Sequence, residues 1–113
     1  MDFFTEEEFQ ILLENGRNKH KADYDPKPVI KLFTPTAGAT WLITDICPDS
    51  IELGFGLCDL GLGYPELGYV SFDELKKIRG PFGLGVEKDL HFKPTMTLSE
   101  YASKARIECC ISA

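Results

Sequence analysis

The chain has 113 residues, 43% of them hydrophobic, with 18 acidic against 12 basic side chains and a formal charge of -6. That length supports one core and excludes a second, burying about two thirds of the surface that the unfolded chain exposes. The negative balance opposes the phosphate backbone that dominates nucleic-acid affinity, so direct DNA or RNA binding is not expected, and no apolar run approaches the ~18 residues of a membrane span.

The first expected element is a helix over residues 6–15. Thr5 and Glu8 form a capping box, Phe4 and Phe9 a hydrophobic staple, and Gly16 is available as the stop. Phe9, Leu12 and Leu13 fall on its inward face. From Met1 to Glu8 no basic region precedes an apolar one, so a secretory signal is not expected and the chain reads as cytoplasmic. Residues 19–28 lack periodicity and contain Pro26 and Pro28, which makes them a surface linker.

From Val29 the period changes to two. Residues 29–33, 39–46, 51–58 and 67–70 are rich in β-branched, aromatic and aliphatic side chains and are bounded by proline, glycine and aspartate. Connections this short require antiparallel neighbours, hence a meander. Ser71 and Glu74, with Val70 and Leu75 as staple, start a second helix over 72–79 that Gly80 and Pro81 close. A fifth strand is expected over 86–92. Thr97 and Glu100 then open a third helix over 98–106, with Tyr101, Ala102, Ala105 and Ile107 available for packing. Residues 1–28 (helix and linker), 29–72 (meander) and 73–113 (helix, strand, helix) thus make one α+β domain. It is a mainly antiparallel sheet of four to five strands with three helices, expected on one sheet face.

The most distinctive stretch runs from Gly54 to Val70, with five glycines among apolar residues. On the third strand Ile51, Leu53, Phe55 and Leu57 share one face, read as a core stripe, while Gly54 and Gly56 leave bare backbone on the other. Two readings follow. Either a side chain such as Trp41 covers that strip, or the strip floors a groove for a peptide or small ligand walled by Trp41, Tyr64 and Tyr69.

The glycine turns do not bind phosphate by their spacing. Gly61, Gly63 and Gly68 are spaced G-x-G-x-x-x-x-G and the turn leads into a strand, not a helix, while residues 79–85 follow a helix end and lack the lysine and hydroxyl of a phosphate loop. For acid-base chemistry the candidates are Glu66, Asp89 and His91, with Asp59 and Glu87 beside them, because a carboxylate that orients histidine raises its basicity. On a regular strand Glu87, Asp89 and His91 share one solvated face, which is the simpler account. Cys47, Cys58, Cys109 and Cys110 include no spaced pair of the metal-binding kind, so no metal or other cofactor is expected, and the thiols read as reduced.

The ordered segments Lys31-Leu32-Phe33-Thr34-Pro35, Thr40-Trp41-Leu42-Ile43-Thr44-Asp45, Glu66-Leu67-Gly68-Tyr69-Val70-Ser71, Arg79-Gly80-Pro81-Phe82-Gly83-Leu84 and Val86-Glu87-Lys88-Asp89-Leu90-His91-Phe92 together resemble the domain-of-unknown-function 2958 family. The resemblance implies a small bacterial protein often carried on plasmids, phages or integrating elements. It brings no established activity and no catalytic residue to place on this chain. The leading expectation is a non-enzymatic, cytoplasmic accessory protein of a mobile element that binds a protein partner. The alternatives are a small-molecule, nucleotide-like binder, and a small hydrolase or metal enzyme using Asp89 and His91 with Glu66 nearby.

Overall fold

The computed structural model describes residues 3–113; Met1 and Asp2, with which the expected first segment begins, lie outside the described residues. The elements are α1 (Glu6–Arg17), β1 (Ile30–Phe33), β2 (Thr40–Cys47), β3 (Ser50–Asp59), β4 (Glu66–Ser71), α2 (Phe72–Lys77), a 3-10 turn (Pro81–Gly83), β5 (Glu87–Lys88) and α3 (Leu98–Glu108). The strands form one antiparallel sheet in the order β4-β3-β2-β1-β5. The α+β class, the meander and the three helices are as the sequence predicts. The fifth strand is two residues long rather than seven.

Capping decides where the helices start. Thr5 Oγ1 accepts from Glu8 N at 3.1 Å while Thr5 N donates to Glu8 Oε1 at 2.8 Å, and the Phe4 and Phe9 rings stack with centroids 5.6 Å apart. Thr97 and Glu100 repeat the reciprocal box on α3. At α2, Ser71 Oγ accepts from Glu74 N at 3.2 Å, although Ser71 is also the last residue of β4 and pairs with Leu53.

The helices do not share a face of the sheet, contrary to expectation. Leu12 and Leu13 of α1 and Phe72 and Leu75 of α2 join Ile30, Leu32, Trp41, Ile43 and Ile46 in one cluster. On the other face Leu98, Tyr101, Ala102 and Ala105 of α3 pack against Leu42 and Leu57. Every residue from Trp41 to Ile46 is buried, as a strand covered on both sides requires. Ile107, grouped with the packing residues by helical spacing, is exposed.

A bulge in β2 adjusts this arrangement. Ile43 pairs with Gly56 and Asp45 with Phe55, so Thr44 is the extra residue, and Ile43 and Ile46 reach the same core although they stand three apart. Asn15 Nδ2 of α1 donates to the Thr44 carbonyl at 2.8 Å. Gly16 is inside α1, not its stop: a Cβ there would lie 2.1 Å from the Ile46 carbonyl oxygen, so the helix crosses β2 at a distance only glycine permits.

Candidate functional site

The expected groove is not open. Trp41 is 2% exposed within the α1-side core. Gly54 and Gly56 are both buried. A Cβ on Gly54 would meet the Phe72 ring at 2.5 Å, and one on Gly56 would meet the Leu42 carbonyl oxygen at 1.8 Å. The bare strip is therefore core, closed by Phe72 of α2, and the face read as a core stripe is the partly open one: Ile51 is exposed, Leu53 and Phe55 are half-buried, and only Leu57 is fully covered. Tyr64 and Tyr69 are exposed but do not face the glycines.

Nor does the sheet gather the acid-base candidates. Glu66 is on β4 and Asp89 follows β5, at opposite edges and four strand spacings, about 19 Å, apart. Asp89 Oδ1 accepts from His91 N at 2.9 Å and Oδ2 lies 3.5 Å from Lys31 Nζ, so the carboxylate closes a turn with the histidine's backbone rather than its ring. The hydrogen bond from His91 N holds the Asp89 pKa below its ordinary value; burial opposes it, and the Lys31 charge adds to the lowering. Cys58 faces the opposite way: burial first, then the Glu66 charge, pushes its thiol up to about 11, which removes thiolate chemistry near neutral pH. Asp59 is buried, its Oδ1 accepting from Gly61 N at 2.8 Å and its Oδ2 from Ile111 N at 3.0 Å. Among the described residues no three His, Cys, Asp or Glu side chains gather where they could hold a metal ion.

Two other constellations emerge. At the C-terminal end of β2, Asp45 is 1% exposed and receives three donors: Thr44 Oγ1 at 2.7 Å, Tyr24 Oη at 3.0 Å and Lys19 Nζ at 3.2 Å. The same ammonium lies 3.3 Å from the Phe55 ring centroid and 3.2 Å from Tyr69 Oη. Burial, then the Asp45 charge, raises the Tyr24 pKa, so the phenol keeps the proton it donates. Beside this knot a cavity of about 250 Å³ runs past Phe55 and Leu67 to Asp25 and Ser99 at the start of α3. Every polar group of the knot is matched.

The opposite end of β2 differs. The β1–β2 turn, residues 34–39, is pinned by Thr34 Oγ1, which accepts from Ala39 N at 2.9 Å. One flank of the turn meets the β3–β4 hairpin, where a Cβ on Gly61 would sit 3.4 Å from the Gly38 carbonyl oxygen. The other flank meets the glycine loop after α2, where a Cβ on Gly80 would sit 3.3 Å from Thr36 Oγ1. Three loops thus stand side by side. Gly80 N donates to Leu84 O at 2.7 Å, closing the loop, and Phe82 at its crest has φ 63° and is 94% exposed. Leu84 on the same loop and Leu60, Leu62 and Tyr64 on the hairpin are exposed as well. Under the glycine loop lies a cavity of about 350 Å³ lined by Phe3, Lys76, Arg79, Val86 and Glu87. The motif Arg79-Gly80-Pro81-Phe82-Gly83-Leu84 was legible as a turn, but its display of phenylalanine in a left-handed conformation was not.

A family model matches residues 3–112, nearly the whole chain, including the three loops. The chain belongs to the DUF2958 family. That family is described as a protein of unknown function. No curated protein and no solved structure matches the chain. Among the described residues no helix is long and apolar enough to cross a membrane.

Proposed function

We propose that this family member is a non-enzymatic accessory protein of a mobile genetic element, working in the cytoplasm, that docks a protein partner on the three-loop end of its sheet. The observation that carries the reading is Phe82. A bulky residue in the left-handed region costs about 1–2 kcal/mol, and large apolar side chains displayed to water are the usual anchors of interfaces. Arg79, whose guanidinium donates to the Lys76 and Ile78 carbonyls at 2.8 and 2.7 Å, gives the loop a fixed positive rim.

Native mass spectrometry of the protein isolated gently from its own cells tests this, with wild type and Phe82→Gly compared. A protein mass retained by wild type and lost from the folded variant supports the reading. Equal retention by both removes Phe82 as the anchor. The cavity beneath the loop favours a second reading, a small anionic or nucleotide-like ligand held by Lys76 and Arg79, because its volume lies at the lower end of small-molecule sites. An unchanged melting temperature across a nucleotide panel ends that version, since selective binding stabilises the folded state.

A further inference from the structure

The two edges of the sheet are treated differently. β5 is two residues long and both are charged, which blunts that edge. β4 is six residues long, Glu-Leu-Gly-Tyr-Val-Ser, pairs with β3 alone among the described residues, and contains neither lysine nor proline. Leu67 and Tyr69 are 41% and 56% exposed on one face of it, and a Cβ added to Gly68 would meet nothing within 4 Å. An edge strand of this kind offers a row of unpaired backbone donors and acceptors, and the occupant that satisfies such a row is another strand.

We infer that the β4 edge pairs antiparallel with the β4 edge of a second copy of this chain, about a two-fold axis at Gly68. Arithmetic on the register fixes the neighbours. With Gly68 opposite Gly68, Leu67 faces Tyr69 of the other copy, twice by symmetry, and Glu66 faces Val70. The strand's single charge therefore meets an aliphatic side chain instead of its own image, and the exposed apolar residues meet each other, as an isologous contact demands. The axis residue has no side chain, so nothing obstructs the approach. The inference does not depend on the partner surface at the three-loop end, which lies on other residues.

Five paired residues from each copy bury less than a standard interface, so self-association is expected in the micromolar range, between about 1 and 100 µM. Sedimentation velocity of the full chain under reducing conditions, from 1 µM to 1 mM, reads it directly: the mass should rise from 12.7 kDa toward twice that value. Gly68→Glu places two carboxylates opposite one another at the axis, flanked by Glu66 from each copy, and should weaken the dimer at least tenfold. The open surroundings of Gly68 let the monomer accept it, which an unchanged circular dichroism spectrum will verify. Gly68→Thr, β-branched and neutral, should keep or strengthen the dimer. Phe82→Gly should not alter it. A wild type that stays monomeric to 1 mM, or a dimer of equal strength in Gly68→Glu, overturns the inference.

Discussion

The two ends of β2 resolve the same problem in opposite ways. At the C-terminal end a buried carboxylate is surrounded by a hydroxyl, a phenol and an ammonium that itself rests on two rings, and nothing is left over. At the N-terminal end three loops lie side by side, each closed by its own hydrogen bonds, yet phenylalanine, leucine and tyrosine side chains face water and one residue holds a strained backbone. One end is built for stability. The other withholds stability from the fold, and on that feature the proposed docking surface rests.

The comparison breaks most readily at Asp45. Asp45→Ala leaves the half-buried Lys19 ammonium without its counter-charge and should cost about 3–5 kcal/mol in denaturant unfolding, a large share of a small domain's total. Adding Lys19→Met should recover part of that loss; if it deepens the loss additively, the knot is not held by charge compensation. Gly16→Ala is next, because a methyl group 2.1 Å from the Ile46 carbonyl must push α1 off β2, at about 1–3 kcal/mol. At the other end the sign reverses. Phe82→Gly relieves the left-handed strain and should raise stability by about 1 kcal/mol, a few degrees in Tm, while weakening partner binding; a destabilised variant would mean that Phe82 supports the fold.

The smallest effect concerns acid. Burial alone would raise the Glu8 pKa, but the hydrogen bond and charge of Lys88 and the capping bonds at Thr5 outweigh it and leave it below 4.5. A carboxyl depressed on folding contributes stability that is complete above its unfolded pKa and is lost as pH falls through the folded value. Glu8→Gln should therefore lower stability at neutral pH by no more than ~1 kcal/mol, for a pair this accessible to solvent, and flatten the profile below about pH 4.5, where wild type and variant converge. A loss confined to acid, or a variant as stable as wild type at neutral pH, would contradict this.

What the sequence disclosed and what it hid follow from range. Thr5, Glu8, Thr97 and Glu100 act on neighbours three residues away, so their boxes were readable, as were the turns at Gly61 and Gly80. The assignment of faces was not, because it depends on which helix crosses above. Residues 41–43 did carry a signal: three consecutive apolar side chains, Trp41, Leu42 and Ile43, indicate burial on both sides, whereas the alternation of residues 51–57 suggested a core stripe on the wrong side. Phe72 filling the gap at Gly54, and Lys19 reaching Asp45 from 26 positions away, depend on how α2 and the linker fold back. The expected groove failed for that reason.

Asp59 carries a consequence of its own. One of its oxygens holds the amide two positions on, at the hairpin tip, and the other holds the amide of Ile111, 52 positions on. The tip and the tail are thus held as a unit. Across the family, lengthening of the hairpin should travel with compensating change near Ile111, and a chain that replaces Asp59 should be free to vary the two segments independently.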